Sequence, residues 1–436
     1  MSIIGWIMSR IRIATTVETF ALISSRIRFP VGHRAPTRYT ARMHAADLLA
    51  RPLPLGPLTS PNRIVMPPLV IWKAGEAGLV TDDHLAHYAR SAGAGLMIVE
   101  ATTIAPEGRL AATQLGLWSD DHVPGLARLA GTIRSTGALA GIQIHHAGGS
   151  TSTQRTYGAA PRVPSLVDDS PEGAVEMTGD DVEATLAAFG RAVRRALEAG
   201  FQVIELHGAH GYLISQFLSP ATNRRSDRWG GTPEKRRAFM VEAIAIARRE
   251  VDDWVRAGEA GGRSERVRPA LTIRLGVAAS GTRELPIEEG LTAAEAAVEA
   301  GIDLLDVSNG GPIEDGPAHE IRERAGRIVT VPEWATPTLL LAALVKKLVR
   351  VPVVAVNGAR TPEEAAQVVS GGIADAIAVG RATLADPRWA RKALGADDRP
   401  IEVCRHCSPR CHWFREPPKC PARKRLAAKG EQPEVV

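Results

Sequence analysis

Cysteine is scarce in this chain of 436 residues: there are four, all between positions 404 and 420. So few rule out the disulfide framework on which small secreted domains depend. Long apolar runs are missing too. Nothing approaches the roughly twenty consecutive apolar residues of a membrane-spanning helix, so no span and no membrane partner are expected. The first predicted strand is followed by MPPLVIW, without the G-x-G-x-x-G turn of a dinucleotide-binding doubly wound sheet. Lysine is sparse on the predicted strands, which ranks a barrel aldolase or isomerase low. What is present is ordinary: 44% hydrophobic and 23% charged residues, a balance that excludes a wholly disordered chain.

The formal net charge is +5, but the surplus is unevenly placed. Residues 1–42 hold seven arginines and one acid, Glu18, a balance of +6. Residues 404–436 hold eight Lys or Arg and three Glu, a balance of +5. Residues 43–403 are therefore acidic, at −6, and a nucleic-acid partner for the main body is disfavoured. The first 42 residues have scattered Arg and Ser and no clear periodicity. They read as a disordered tail, an over-long start or a transit-like leader, and not as a secretory signal. Met43 opens the first segment that reads as a domain, expected over 43–396, with a basic, Cys-rich extension over 397–436.

From Pro61 onward, short apolar or β-branched runs alternate with longer amphipathic stretches. The runs are Arg63–Leu69, Gly95–Ala101, Ala140–His145, Phe201–His207, Ala270–Leu275, Ile302–Val307, Val351–Val356 and Ala374–Val379. Continuous apolarity, in place of alternation, is what strands buried on both faces require. Thr178–Ala199 carries Val182, Leu186, Phe189, Val193 and Leu197 at helical spacing. Pro233–Val251, Thr292–Ala300, Glu333–Leu348 and Pro362–Gly371 read similarly. Eight β-α repeats predict an α/β fold, a (β/α)8 or TIM barrel with a short C-terminal Cys-rich extension.

Polar residues and glycines follow the strand ends, and a barrel gathers those positions at one mouth. His207 and His210, three residues apart, precede Tyr212 in a long loop rich in Arg and Asn. Such a pair suits a metal or a hydrogen-bonded anion. Asn357-Gly358-Ala359 and Gly380-Arg381 end the last two strands, where barrels hold a ligand phosphate. Glycine lets the backbone approach closely, and arginine offers a forked donor. Arg274 interrupts the apolar run LTIRL and needs an anionic partner, either an internal glutamate such as Glu205 or Glu100 or a bound anion. Gln143, in IQIHH, is likewise polar where a core strand would take an aliphatic residue.

Together these segments resemble the old yellow enzyme family, the FMN-dependent ene-reductases and NAD(P)H:flavin oxidoreductases. The resemblance covers about residues 45–395 and rests on NRIVMPPL (62–69), GLMIVEAT (95–102), GLWSDDHVPG (116–125), IQIHHAG (142–148), the 207–231 segment and the pair NGART and GRATLADP (357–387). It implies an FMN site at Pro67, Pro68, Ala101, Gln143 and Arg274, with Gly358, Ala359, Gly380 and Arg381 around the phosphate. It implies that His207 and His210 hold a substrate carbonyl oxygen and that Tyr212 gives a proton to the α-carbon. The implied reaction takes hydride from NAD(P)H onto FMN and passes it to an activated alkene, an α,β-unsaturated carbonyl or enoyl-type small molecule. Three positions depart from the pattern. Val70 stands where many relatives have Thr or Cys near flavin O4, so the flavin is expected to be harder to reduce. Trp72 stands where some relatives place a substrate-contacting Tyr. Gly149 replaces the Arg often found after HAG.

The four cysteines, Cys404, Cys407, Cys411 and Cys420, follow the spacing C-x2-C-x3-C-x8-C. They are numerous enough for a complete four-cysteine metal site. The segment resembles that of dienoyl-CoA reductases and trimethylamine dehydrogenase, which carry a [4Fe–4S] cluster there, although the last gap is shorter. An iron–sulfur cluster, a zinc site with His406 or His412 as substitute ligands, and uncoordinated thiols are the three readings. A cluster would make the chain a single-electron flavin dehydrogenase component with a separate redox partner. Arg405, Arg410, Arg415, Lys419 and residues 423–425 would either dock that partner or form a solvated tail. A non-enzymatic binding module built on the Cys-rich segment is the remaining rival, and the acidic main body argues against it. A cytoplasmic location and a homo-oligomer complete the expectations.

Overall fold

The structure, a computed structural model, describes residues 38–260, 267–407, 411–414 and 416–431, with side chains from His44 onward. The chain divides into two units, Met1–Ala41 and Arg42–Val436. Most of the expected leader, residues 1–37, lies outside the described residues. A helix, α1 (Arg38–Leu49), crosses the expected domain start at Met43. Its buried residues include Ala45 and Leu49, one turn apart in a polar stretch, which is too short a stripe to register as periodicity.

A hairpin comes first, β1 (Leu53–Leu55) antiparallel to β2 (Leu58–Ser60). The predicted runs follow as β3 (Ile64–Met66), β4 (Leu96–Thr103) and β5 (Leu139–His145). A small parallel pair, β6 (Arg162–Val163) and β7 (Val175–Glu176), interrupts them. The series resumes with β8 (Val203–Gly208), β9 (Ala270–Gly276), β10 (Leu304–Ser308), β11 (Val353–Val356) and β12 (Ala376–Ala378). The order β3-β4-β5-β8-β9-β10-β11-β12 is parallel throughout, and β12 pairs with β3 to close the cylinder. This is the predicted TIM barrel, and its runs are largely apolar because the strands are covered inside and outside.

The outer layer includes α2 (Asp82–Arg90), α3 (Val123–Ser135), α4 (Gly179–Glu198), the short α5 (Leu213–Leu218), α6 (Pro233–Ala260), α7 (Ile287–Glu299), α8 (Asp315–Gly326), α9 (Pro337–Leu348) and α10 (Pro362–Ser370). Helix α4 buries the predicted stripe, and the Thr178 hydroxyl accepts the Asp181 N–H at its start. Helices α2, α3, α5 and α8 are additions to the predicted set. The inner stripe of α2 is His84, His87 and Tyr88, a polar-looking set that gives little hydrophobic signal. Helix α7 starts at Ile287 and not at Thr292, because Pro286 occupies the cap position and Ile287 is already buried.

The amino end of the barrel is sealed by the hairpin. Leu53, Leu55 and Leu58 form one apolar cluster with Leu96, Val203, Ala270 and Leu304. Beyond α11 (Arg381–Ala385) and α12 (Trp389–Ala393), the chain turns back to α13 (Pro421–Ala428). This extension is docked. Buried Lys392 lies 2.9 Å from Asp386, which also accepts the Glu402 N–H, and Arg425 and Lys429 both reach Glu402. Trp413 packs on Ile71 and Leu384, and the Arg423 Nε donates to the Leu384 carbonyl at 2.7 Å. Of the basic residues read as a docking face or a solvated tail, Arg423 and Arg425 are held in these contacts; Arg410 and Arg415 lie outside the described residues.

Candidate active site

Side chains two apart share one face of a strand. On β8 the row Val203, Glu205, His207 runs from the sealed end to the mouth, and β9 repeats it as Ala270, Thr272, Arg274. On β10 the row is Leu304, Asp306, Ser308, and β5 contributes Gln143 and His145. Parallel register sets Gln143 beside Glu205, His207 beside Arg274, and Arg274 beside Asp306. The result is a polar layer inside the barrel. Gln143 Nε2 donates to Glu205 Oε1 at 2.8 Å, and Arg274 Nε lies 3.1 Å from Asp306 Oδ2.

Arg274 therefore pairs with Asp306, not with Glu205 or Glu100 as its immediate partner. Which acid faces Arg274 is a matter of strand register, which sequence pattern does not carry. Glu205 is 0% exposed and Asp306 1%. Burial pushes both carboxyls up; the Asp306 charge raises Glu205 further, while Arg274 pulls both back. Glu205 Oε2, Arg274 Nε and both Asp306 oxygens are buried without a hydrogen bond of acceptable geometry. Buried polar atoms are normally satisfied, so this layer offers donors and acceptors to something else.

Beside it stand the aromatic and imidazole groups. His207 lies 5.1 Å from His210 and 4.8 Å from Tyr212, ring centre to ring centre, in edge-on contacts. His210 adopts φ 61°, a strained value for a non-glycine residue, and its N–H donates to the Asn309 carbonyl. Its Nε2 is 2.8 Å from the Ser308 hydroxyl. Burial lowers His210 to about 3 and holds His207 far below its usual range, so both rings are neutral. Burial raises the Tyr212 phenol, against the pull of Arg283 and Arg155. His145, which the sequence motifs do not single out, joins this group at 5.2 Å from His207 and 4.6 Å from Tyr212. The one signal that could have found it is its two-residue spacing from Gln143.

The two glycine loops also meet. Arg381 Nη2 donates to Asn357 Oδ1 at 3.2 Å, and Asn357 takes φ 73°. Gly358 has φ 150°, open only to glycine, and Ala359 follows it. A Cβ on Gly380 would sit 3.4 Å from the ring of Pro67. Pro67 and Pro68 lie in the loop after β3, and Ala101 is buried on β4.

That loop ends in Trp72, another strained residue at φ 59°. Glu100 holds it: Oε2 accepts the Ile71 N–H at 3.0 Å and the carboxyl also receives the Trp72 N–H. Burial pushes Glu100 up to about 8. His84 Nδ1 accepts the Thr81 N–H, so its proton is on Nε2, which faces Glu100 Oε1 at 3.6 Å. Gly149 is explained by packing, since a Cβ there would lie 2.7 Å from Val163 Cγ1 on β6.

The cysteines do not assemble as their spacing predicts. Cys404 and Cys420 are buried, Cys407 and Cys411 half-buried, and all four are free. Among the described residues no three His, Cys, Asp or Glu side chains are arranged to hold a metal ion. As placed, the set fits neither a [4Fe–4S] cluster nor zinc. Among the described residues no helix is long and apolar enough to cross a membrane.

Residues 48–397 match the model of the NADH:flavin oxidoreductase / NADH oxidase family. The chain is 36% identical over 354 residues to an NADPH dehydrogenase of Geobacillus sp. (strain WCH70), covering 80% of this chain and 95% of that one. It is 36% identical over 369 residues to an NADH oxidase of Thermoanaerobacter brockii, covering 82% of this chain and 52% of the relative. Among solved structures, the old yellow enzyme homologue of Zymomonas mobilis superposes with a TM-score of 0.66 at 25% identity, over 81% of this chain and 94% of that one. A closed parallel barrel with a polar mouth, matched over that length, leads to one conclusion: the chain belongs to the NADH:flavin oxidoreductase / NADH oxidase family and is an FMN oxidoreductase of the old yellow enzyme type.

Proposed function

We propose that this enzyme reduces an activated alkene, an α,β-unsaturated carbonyl or enoyl-type compound, using NAD(P)H. FMN, when bound, would supply the hydride chemistry that links the nicotinamide to the alkene. The observation that carries the reading is the neutral His207–His210 pair with Tyr212, standing directly beside the unsatisfied Arg274–Asp306–Glu205 layer. A flavin ring edge carries both acceptors and an N–H donor, which is what that layer lacks. We assign Gln143 and Arg274 to this edge, Pro67, Pro68 and Ala101 to the ring, and Gly358, Ala359, Gly380 and Arg381 to the phosphate.

His207 and His210 are assigned to the substrate carbonyl oxygen. Two neutral N–H donors there draw electron density from the conjugated β-carbon and stabilise charge arriving on the oxygen. The Ser308 hydroxyl, 2.8 Å from His210 Nε2, supports this role by holding the ring in place. Tyr212 gives the proton to the α-carbon; its raised pKa keeps the phenol protonated, as a general acid requires. Trp72, fixed through Glu100, is assigned to the pocket wall. No step is assigned to Cys404, Cys407, Cys411 or Cys420. Stoichiometric iron and acid-labile sulfide in anaerobically purified protein would reinstate a relay to a redox partner.

Absorption of the purified protein tests the cofactor: flavin bands are expected, and a folded, colourless protein that refuses FMN would end the reading. Titration with a phenol, followed by its charge-transfer band, tests the pair. His207→Ala and His210→Ala should each weaken binding, and unaltered titrations would remove both from the substrate site.

A further inference from the structure

His145 is 0% exposed, and neither of its ring nitrogens has a hydrogen-bond partner. Its neighbour His146 differs: Nδ1 there accepts the Gly148 N–H at 3.0 Å. A buried imidazole is seldom left with both donor and acceptor unmatched. His145 is the last residue of β5, and its ring meets Tyr212 in a T-shaped contact and His207 at a tilt. It shares a strand face with Gln143, but its ring contacts are with the group assigned to the substrate. Burial, helped by neighbouring His146 and His210, keeps the ring neutral, so it carries one N–H and one lone pair.

We infer that His145 is a specificity residue whose N–H receives a second acceptor on the substrate, so that the preferred alkenes carry another carbonyl besides the one held by His207 and His210. This rests on the function proposed above. A site with a buried polar group awaiting a partner discriminates strongly against the analogue that lacks it, because the group is then left unpaired. His145→Phe keeps an aromatic ring at this position while removing the donor.

The test compares cyclohex-2-ene-1,4-dione with cyclohex-2-enone, a pair differing by one carbonyl. In His145→Phe the dione-to-enone ratio of kcat/KM should fall at least ~tenfold. His145→Gln, which keeps an N–H, should recover part of the dione rate. Should the Phe variant be unfolded, His145→Ala carries the same comparison. An unchanged dione-to-enone ratio in the folded variant would overturn the inference, and so would loss of FMN from it, which would move His145 to the cofactor. If the unmodified enzyme reduces neither ketone, the proposed function fails instead.

Discussion

The two ends of the barrel are built from the same strands and behave as opposites. Toward the amino end, Val203, Ala270 and Leu304 close on the hairpin leucines 53, 55 and 58. Two to four residues further along the same rows stand Glu205 and His207, Arg274, and Asp306, with polar atoms left over. One end satisfies itself and contributes stability; the other keeps buried charge ready for a ligand and costs stability. Folding and chemistry thus divide along the strand axis, not between separate parts of the chain.

That division fails most visibly if substitutions at the two ends do the same thing. Tyr212→Phe, at the mouth, should slow alkene reduction by about 10²–10⁴-fold while leaving flavin reduction by the nicotinamide intact. Stopped-flow measurement of the two half-reactions checks this, and equal loss in both would remove the proton-donor role. Arg274→Met leaves Asp306 buried without its cation; FMN content should drop and stability fall by ~3–5 kcal/mol. Leu55→Ala, at the sealed end, should cost ~2–5 kcal/mol in thermal unfolding with the flavin spectrum unchanged. A Leu55→Ala protein that lost flavin while staying folded would deny the division.

Two smaller effects refine the contrast at the mouth. Glu100 has its folded pKa raised from 4.5 to about 8. Between those values the folded state holds a proton that the unfolded state has released, so this contribution is whole below 4.5 and lost as pH rises toward 8. Buried His84, lowered from 6.5 to about 4, acts in the opposite sense: its contribution is whole above 6.5 and lost as pH falls toward 4. Glu100→Gln should therefore flatten the decline in melting temperature between pH 4.5 and 8; an unchanged slope there would contradict the assignment. Last, Val70→Thr adds a hydroxyl in the loop after β3 and should raise the flavin reduction potential, which spectroelectrochemistry measures.

Much of the molecule is legible in its residues. Eight strands announce themselves because burial on both faces writes long apolar runs, and His207, His210, Tyr212 and the two glycine loops sit at their ends. Helix α2 escapes notice because histidine and tyrosine make its buried stripe look polar, whereas the Leu126, Leu129 and Ile133 stripe of α3 is legible at helical spacing. The partner of Arg274 and the placement of His145 escape it for another reason, since both depend on register and on the direction a side chain takes. The cysteine spacing predicts a ligand set that the docked extension does not assemble.

Residue order alone is enough to give the barrel, the side chains that reach its mouth and the family to which the chain belongs, since periodicity and ordered motifs are local properties. The closed, packed molecule is needed to show that Arg274 faces Asp306, that Glu100 fixes the Trp72 loop, that four thiols are not drawn into one ligand set and that His145 is left without a partner. Those features arise when the sheet closes and brings residues tens to hundreds of positions apart into one low-dielectric space, where each unpaired group matters.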